Sequence, residues 1–308
     1  MYAVIDLGSN SFHLLIAELT HEHLRVVGRC SEKIQLAEGL NISGSLSAAA
    51  MERGLQCLRQ FKSILAEHPI QKIKVVGTEA LRRAGNSDFF VTQAKNLGFD
   101  IDIISGEQEA RWIFRGICGP LADSDKTRLT IDIGGASTEI ALGNDQHILF
   151  SRSVAIGCVS WRDSYFSPQL DFANNRERAT DSAKKHLADT VASLKNHQWD
   201  EVFASSGSAK MLSAISYTNG WSEGTITLPC IKKIEELLQE VKRIEDINIP
   251  GLKPQRLDLL APGLIILASL MRELNLREVQ YSPTALREGI LADMINRRVD
   301  YKLQREVR

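Results

Sequence analysis

The sequence contains one short pattern twice: an apolar run, an aspartate and a cluster of small polar residues. The first copy is IDLGSNS at residues 5–11, and the second is IDIGGAST at residues 131–138. Each copy follows apolar residues and leads into another apolar run, which predicts two strands joined by a tight polar turn. Asp6 and Asp132 are 126 residues apart, about the size of one domain. The sequence therefore predicts a duplicated hairpin, one copy in each of two domains.

The turn of each copy is rich in small residues, which allow successive backbone N–H groups to point into one concave nest that suits an anion. The aspartate that ends each first strand has no apolar role, and it is placed to hold a hydrated cation or a water beside that anion. Ordinary hairpins also use Asp, Gly, Ser and Asn in their turns, which is the alternative. The matching positions in two copies favour two hairpins that face each other and bind one phosphate chain.

Length and composition exclude several classes of protein. A chain of 308 residues is long for a single core, so two domains are expected. With 44% hydrophobic and 24% charged residues the chain is of ordinary globular type, and no disorder is expected. A formal net charge of −1 disfavours a nucleic-acid or membrane-surface protein. An anionic ligand would therefore be held by backbone N–H groups, a metal ion and a few local cations.

The cysteines and the N-terminus indicate a cytoplasmic location. The five cysteines are scattered and never form a C-x-x-C pair, so they predict neither a zinc site nor a disulfide framework. No export signal is visible at the N-terminus. The most apolar stretch, residues 259–271, contains Pro262 and Gly263 and is too short to span a bilayer.

Strands and helices alternate along the chain, which indicates an α/β fold. The apolar periodicity predicts a helix over 48–66, for example, and another over 262–274. A polar, turn-rich segment at 119–126 is the best boundary. It gives an N-terminal phosphate-binding lobe of residues 1–123 and a C-terminal lobe of residues 124–308, whose last helix is free to pack back on the first lobe.

Further short segments follow one another over almost the whole chain: DLGSNSF at 6–12, GT at 77–78 with LR at 81–82, ISG at 104–106 with EAR at 109–111, DIGGASTE at 132–139, GCV at 157–159, SGS at 206–208 and ALREG at 285–289. Together they resemble the exopolyphosphatase and guanosine pentaphosphate phosphohydrolase (Ppx/GppA) family, within the actin, sugar-kinase and Hsp70-like superfamily. The resemblance implies two ribonuclease H-like domains with an interdomain cleft. It also implies Mg²⁺-assisted (or other divalent cation) hydrolysis of the terminal phosphate of polyphosphate or guanosine pentaphosphate.

The chain departs from the family pattern in two ways. It stops at residue 308, so we expect it to lack the extra C-terminal helical region of the longer members. Processive handling of long polyphosphate and dimerisation through that region are therefore unsupported, and a homodimer is one of the states that the sequence leaves open. Ala136 stands where many members carry a third glycine, which is acceptable if its φ is negative.

Glu109 is the candidate for the residue that orients and deprotonates the attacking water. It lies in the first turn of a helix that follows a strand directly, where the helix N-terminus favours the ionised carboxylate. With Gly106 as N-cap, however, Glu109 would occupy the third helical position, where glutamate commonly caps its own helix. Spacing alone leaves the two interpretations equal, and the resemblance favours catalysis.

Three carboxylates, those of Asp6, Asp132 and Glu139, are the candidate metal ligands. Mg²⁺ prefers oxygen ligands and keeps several waters, so one or two carboxylates would suffice. Asp132 is the strongest candidate. Glu139 has an alternative of nearly equal weight, as an outward-facing residue of an antiparallel strand.

The candidate phosphate ligands fall into three groups. Arg82 resembles the family's phosphate-binding arginine, because a planar guanidinium can bind two phosphate oxygens at once; a surface salt bridge is its alternative. A strand-to-helix turn, Ser206–Gly207–Ser208, is a second anion site or else a plain N-cap. The third group is the N–H donors of both hairpins: Gly8, Ser9, Asn10, Ser11, Gly134, Gly135, Ala136, Ser137 and Thr138.

The leading functional hypothesis is a metal-dependent phosphoanhydride hydrolase that uses in-line water attack without a covalent intermediate. A sugar or acetate kinase of the same superfamily and a non-catalytic alarmone or nucleotide sensor are the alternatives. The expected partner is polyphosphate or guanosine pentaphosphate, with no nucleic acid and no membrane. The lack of a dense Lys/Arg run in the second half mildly disfavours long-chain polyphosphate.

Overall fold

The computed structural model describes residues 1–20, 24–121, 125–145, 147–167 and 169–295. The chain divides into two compact units: unit 1 is Met1–Ala122 with Thr284–Arg308, and unit 2 is Asp123–Pro283. The domain boundary expected between residues 123 and 124 lies outside the described residues. Unit 1 takes up residues 284–295 as well as the beginning of the chain.

The strands have the following bounds: β1 Tyr2–Leu7, β2 Ser11–Leu19, β3 Leu24–Lys33, β4 Lys72–Gly77, β5 Ile101–Ile103, β6 Arg128–Ile133, β7 Thr138–Gly143, β8 Ile148–Val154, β9 Glu201–Ser205, β10 Ile226–Thr227 and β11 Glu278–Tyr281. The α-helices are α1 Leu40–Ser43, α2 Ala48–Ala66, α3 Glu79–Arg83, α4 Ser87–Asn96, α5 Gly106–Cys118, α6 Cys158–Trp161, α7 Phe172–Leu194, α8 Ser206–Thr218, α9 Leu228–Leu238, α10 Leu257–Glu273 and α11 Leu286–Met294.

The two sheets share one strand order. In unit 1 the order is β3-β2-β1-β4-β5, with β1, β2 and β3 antiparallel and with β4 and β5 parallel to β1. In unit 2 the order is β10-β11-β9-β6-β7-β8, in which β6, β7, β8, β9 and β11 take the places of β1 to β5. The duplication expected from the repeated hairpin therefore extends to all five strands of the unit 1 sheet, and β10 is an additional edge strand in unit 2.

Helix α10, buried along all but its two ends, forms the centre of the core of unit 2. Every residue from Leu259 to Met271 is buried, so the helix is apolar on all sides. It begins at Leu257, five residues before the expected start, and it continues through Pro262. A proline inside a helix costs about 3 kcal/mol, but each buried Leu or Ile side chain contributes about 1.5–3 kcal/mol. Burial therefore outweighs the helix-breaking effect of the proline.

Helix α11 packs against α5 within unit 1, with backbone in contact with backbone. A Cβ atom on Gly116 would lie 1.9 Å from the carbonyl oxygen of Ala285, and one on Gly289 would lie 1.8 Å from that of Trp112. The fully buried Glu288 accepts a hydrogen bond of 2.9 Å from the Ala285 N–H and lies 3.2 Å from the Arg29 guanidinium. The last described helix therefore completes the fold of unit 1.

Candidate active site

The polar side chains of each unit gather where parallel strands end. In unit 1, β1, β4 and β5 end beside one another, and α3 and α5 start from that edge. In unit 2, β6 and β9 end in the same way, and α8 starts there. The carboxyl edge of such a sheet is where ligands bind in α/β proteins. Each unit is described separately below, beginning with its hairpin.

The two hairpin turns have the same length. The pairs Leu7–Phe12 and Ile133–Thr138 close turns of four residues each. Glycine occupies the first turn position in both. A Cβ atom on Gly8 would lie 2.8 Å from the carbonyl oxygen of Ser11, and one on Gly134 would lie 3.1 Å from that of Ser137. The close approach of the backbone therefore explains why the repeated pattern contains glycine at this position.

In unit 1 the segment after β3 fixes the peptides of the turn. The Ser9 carbonyl accepts from the Ala37 N–H at 3.0 Å, and the Asn10 carbonyl accepts from the N–H groups of Ile34 and Gln35 at 3.0 and 2.8 Å. In a planar trans peptide the N–H points away from the C=O. The N–H groups that follow these carbonyls are therefore turned to the opposite side of the turn.

In unit 2 the segment after β8 likewise fixes the peptides of the hairpin turn. The Gly134 carbonyl accepts from the Cys158 N–H at 2.9 Å, and the Gly135 carbonyl accepts from the N–H groups of Val159 and Ser160 at 2.8 and 3.1 Å. The residue that follows, Ala136, is not among those with left-handed φ. An alanine is thus accommodated at this position of the turn. In both units, two turn carbonyls are anchored on one side and their neighbouring N–H groups face the other.

The structure brings Arg82 and Glu109 together in unit 1. Arg82 Nη1 donates to Glu109 Oε2 at 3.2 Å and to the Ile104 carbonyl at 2.6 Å. Its Nε and Nη2 both donate to Glu79 Oε2, at 3.0 and 2.6 Å. Burial lowers the pKa of Arg82, but the charges of Glu109 and Glu79 outweigh it and hold that pKa above its ordinary value. The guanidinium is therefore a fixed cation between two carboxylates, and the expected two-point phosphate contact stays a prediction.

The start of α5 places Glu109 differently from the expectation. Ser105, not Gly106, is the N-cap, because its side chain accepts from the Gln108 N–H at 3.2 Å. Glu109 is therefore the fourth helical residue, and Gln108 holds the third position, the one from which glutamate caps its own helix. Glu109 is therefore not at the position from which it could cap its own helix, which was its alternative role. Glu109 is only 6% exposed, and its carboxylate faces Arg82.

In unit 2, two candidate metal carboxylates are neighbours across the hairpin. Asp132 on β6 is the register partner of Glu139 on β7 and of Ser205 on β9. The Ser205 hydroxyl donates to Asp132 Oδ2, and the Ser153 hydroxyl donates to Glu139 Oε1 at 2.6 Å. Glu139 is 2% exposed, so the alternative of an outward-facing side chain is wrong.

In unit 1 the equivalent neighbours are different. Asp6 is the register partner of His13 and of Val76. His13 thus takes the place of Glu139, and Val76 the place of Ser205. The polar setting around the strand-end aspartate is therefore not duplicated.

A divalent cation fits the oxygen donors of unit 2. Within the described ranges, no three His, Cys, Asp or Glu side chains converge into a ready-made cage. Mg²⁺ does not need one, since it commonly takes one or two carboxylates and retains water. A Cβ on Gly134 would lie 3.9 Å from Glu139 Oε2, so this carboxylate oxygen is near the turn that follows Asp132. Asp132 and Glu139 thus offer oxygen ligands beside the predicted phosphate-binding turn.

The Ser206 turn holds its first residue in an unusual conformation. Ser206 has a φ of 79°, and its hydroxyl donates to the Ile133 carbonyl at 2.7 Å. Left-handed φ in a non-glycine residue costs of order 1–3 kcal/mol and is concentrated at functional sites. Ser208, in contrast, is buried, and its side chain lies close to Gly263 of α10. The hydroxyl of Ser208 therefore faces the helix layer, and its role as a phosphate ligand stays a prediction.

Arg256 was not identified from the sequence. A Cβ atom on Gly207 would lie 2.2–2.5 Å from the atoms of the Arg256 guanidinium, so the cation packs directly on the Ser206 turn. The neighbouring acid Asp258 is bound by Arg162 at 2.6 Å instead. Arg256 lies about 50 residues from this turn along the chain, and no periodic pattern joins the two.

Comparisons with known proteins decide the family. The model of the Ppx/GppA phosphatase family matches residues 15–298. The chain belongs to the Ppx/GppA phosphatase family. The family inferred from the motifs is therefore confirmed.

Two relatives are 37% identical to this Ppx/GppA protein. One is the guanosine-5'-triphosphate,3'-diphosphate pyrophosphatase of Photobacterium profundum, matched over 96% of this chain and 60% of its own length. The chain thus spans 60% of the length of that relative. The other is a provisionally named exopolyphosphatase of Haemophilus influenzae, matched over 94% of this chain and 90% of its own length.

Solved structures agree with the fold. An exopolyphosphatase from Cytophaga hutchinsonii is 25% identical, with a TM-score of 0.87 over 96% of this chain and 97% of its own. The Ppx/GppA family member from Aquifex aeolicus has a TM-score of 0.77 at 24% identity, over 96% of this chain and 97% of its own. The expected α/β fold of the actin-like superfamily is confirmed. None of the described helices is long and apolar enough to cross a membrane.

Proposed function

We propose that the protein is a phosphoanhydride hydrolase that releases the terminal phosphate of guanosine pentaphosphate, of inorganic polyphosphate or of both. The observation that carries the proposal is the buried Glu109 carboxylate held by Arg82 at the carboxyl edge of the sheet of unit 1. The names of the relatives, a guanosine pentaphosphate pyrophosphatase and exopolyphosphatases, indicate the same class of reaction.

Glu109 acts as the general base. Its helix N-terminus and the Arg82 cation both favour the ionised carboxylate, which accepts a proton from the attacking water as the water approaches the terminal phosphorus in line with the leaving oxygen. Burial keeps bulk water from competing for the carboxylate. Arg82 orients the carboxylate, since Arg82 Nη1 donates to one of its two oxygens.

The hairpin turns bind the phosphate oxygens. Their outward-turned N–H groups are donors that need no reorganisation, a form of electrostatic stabilisation suited to the charge of the transferred phosphoryl group. Arg256, beside the Ser206 turn, supplies a cation for a more distant phosphate of the substrate.

Asp132 and Glu139 are proposed to hold a divalent cation in unit 2, and Asp6, at the equivalent position of unit 1, stays a candidate carboxylate ligand. When bound, Mg²⁺ would offset the negative charge of the phosphate oxygens. The hydroxyls of Ser205 and Ser153 keep Asp132 and Glu139 in place.

The test is phosphate release from guanosine pentaphosphate and from polyphosphates of several lengths, each with Mg²⁺ and with chelator. We expect phosphate release from at least one of these substrates, and we expect this release to require the cation. A requirement for a sugar or acetate as acceptor would favour the kinase alternative instead. Binding of guanosine pentaphosphate without any release would favour the sensor.

The Glu109→Gln variant tests the base directly. Its amide keeps the size of the side chain but accepts no proton, so kcat is expected to fall about 1,000-fold while the KM changes little. The matched control is Glu107→Gln, since Glu107 is an exposed glutamate of the same helix turn. A Glu109→Gln variant as fast as the parent would rule out the assigned role.

The location and the assembly of the protein are part of the proposal. The five cysteines are all free thiols, which suits a reducing compartment such as the cytoplasm. Measurements in solution would test whether the protein is a homodimer and whether it uses polyphosphate processively.

A further inference from the structure

A second carboxylate, Glu79, shares the Arg82 guanidinium with Glu109. Glu79 is the first residue of α3 and is 7% exposed. One of its oxygens accepts from both Nε and Nη2 of Arg82, and the other lies 3.7 Å from Arg83 Nε. The four side chains form a row of alternating charge, in the order Glu109, Arg82, Glu79, Arg83. The proposed reaction assigns no part to Glu79.

The contacts divide the guanidinium into two edges. Arginine has five N–H donors in a rigid planar fork. The Nε and Nη2 edge is bound to Glu79, and Nη1 is bound to Glu109 and to the Ile104 carbonyl. A planar group fixed along one edge has its other edge fixed as well. The direction in which Nη1 points is therefore set by Glu79 together with the Ile104 carbonyl.

We propose that Glu79 is a positioning residue that acts through Arg82: it fixes the guanidinium so that Nη1 holds the Glu109 carboxylate in the orientation needed to receive the proton of the attacking water. The inference rests on the proposed function. Glu79 touches neither water nor substrate in this role.

The position of Glu79 in the fold supports this role. Glu79 and Arg82 are three residues apart on one short helix, so the backbone fixes their spacing. The Ile104 carbonyl, the third acceptor of Arg82, directly precedes the Ser105 cap of α5. Arg82 therefore joins α3 to the start of the helix that carries Glu109. Without Glu79, the guanidinium would be held through Nη1 alone, so it gains freedom to rotate and the Glu109 carboxylate loses a rigidly fixed partner.

A purely structural ion pair is the competing explanation. In that case the loss of Glu79 would lower the stability of the fold, because breaking a buried pair leaves an uncompensated charge, but the folded enzyme would keep its kcat. In the positioning role, the folded enzyme loses kcat while its KM is little changed, since the phosphate-binding turns are intact. The two explanations therefore differ in kinetics, not in stability.

The experiment compares Glu79→Ala, Glu79→Gln and the control Glu107→Gln with the parent, at saturating Mg²⁺ and below each variant's unfolding temperature. Glu79→Ala is expected to lower kcat about 30- to 100-fold, as misplacement of a catalytic group does, with KM within about threefold. Glu79→Gln, whose amide oxygen can still accept from Arg82, is expected to regain part of the loss. A kcat of Glu79→Ala within twofold of the parent, or a raised KM with unchanged kcat, would overturn the proposal.

A spectroscopic measurement tests whether Glu79 fixes the Arg82 side chain, and it does not require an activity assay. The ¹⁵Nε–H signal of Arg82, assigned from its disappearance in Arg82→Lys, is expected to exchange slowly with water in the parent and faster in Glu79→Ala, which removes the acceptor of that N–H. An Arg82 signal unchanged by Glu79→Ala would overturn the proposal. If the parent released phosphate from no substrate, the proposed function would fail, and this signal would still report whether Glu79 fixes Arg82.

Discussion

The hairpins of the two units have a similar backbone arrangement but differ in the side chains beside their aspartates. Both turns have four residues, begin with glycine and have two carbonyls anchored by the segment after the third strand. Asp132 is flanked by Glu139 and Ser205, whereas Asp6 is flanked by His13 and Val76. The geometry that suits phosphate was kept in both copies, and the donors that suit a cation are concentrated in one.

The pair formed by Arg82 and Glu109 lies in unit 1. There, the helix after β4 carries Arg82 and the helix after β5 carries Glu109, and the two side chains meet. At the end of the matching strand β9, unit 2 has the Ser206 turn. The comparison teaches that the two copies of a duplicated fold can keep the same turn and still differ in their polar groups: unit 1 has the Arg82–Glu109 pair, and unit 2 has the neighbouring carboxylates Asp132 and Glu139.

The largest difference is expected between Asp132→Asn and Asp6→Asn. The first change removes a charge from the donor-rich hairpin, and kcat is expected to fall about 100-fold, equivalent to about 3 kcal/mol of transition-state stabilisation. The second is expected to cost about tenfold. The measurement is phosphate release at one saturating Mg²⁺ concentration. Equal losses in the two variants would show that the aspartates are equivalent.

The next comparison is Glu139→Gln against His13→Gln, two changes at equivalent positions. Glu139→Gln is expected to raise the Mg²⁺ concentration for half-maximal activity about tenfold, because a carboxylate ligand is lost. His13→Gln is expected to leave that concentration within twofold. A Mg²⁺ titration of both variants tests this, and a similar shift in the two would remove the assignment of the cation to unit 2.

A smaller effect is expected for Arg256→Ala. If the cation beside the Ser206 turn binds a substrate phosphate, its loss should raise KM about fivefold with kcat nearly unchanged, equivalent to about 1 kcal/mol. Arg243→Ala is the control, because Arg243 is an exposed arginine of the same unit. An unchanged KM in Arg256→Ala would limit that cation to a packing role.

The smallest difference between paired variants, about 0.5–1 kcal/mol in the free energy of unfolding, is expected for the turn glycines. Gly8→Ala brings a Cβ to 2.8 Å from a carbonyl oxygen, and Gly134→Ala brings one to 3.1 Å. We expect Gly8→Ala to lower the free energy of unfolding by about 1–2 kcal/mol and Gly134→Ala by about half as much. Urea unfolding measures both. The reverse order would mean that the turn of unit 2 has less room to adjust than its distances suggest.

Local patterns in the sequence predicted the parts of the fold that depend on neighbouring residues. The helix over 48–66 was predicted to the residue, because an apolar period follows a serine whose side chain caps the first turn. The start of α10 was wrong by five residues, since the burial that carries the helix through Pro262 is a property of the whole core. The N-cap of α5 was wrong by one residue because serine and glycine, both good caps, are adjacent there.

The candidate site could likewise be predicted only where the local sequence encodes it. Repetition revealed the hairpins, and the resemblance supplied Arg82 and Glu109. Their pairing depends on the order of β1, β4 and β5, which no single segment encodes. Glu79 lies three residues before Arg82 and could have been found as a helical ion pair. Arg256 could not, since its proximity to Gly207 arises only when α10 is packed in place.

Because α11 closes over α5, the order of synthesis affects the folding of unit 1. The ribosome completes β1 to β5 and α5 long before residues 284–295 emerge, so the apolar face of the helix that bears Glu109 stays uncovered while the whole of unit 2 is translated. A nascent chain in that state is a natural client for chaperones, and a fragment ending at Pro283 would be prone to aggregate. Grafting α11 onto a truncated unit 1 through a short linker should yield a fragment that folds without unit 2.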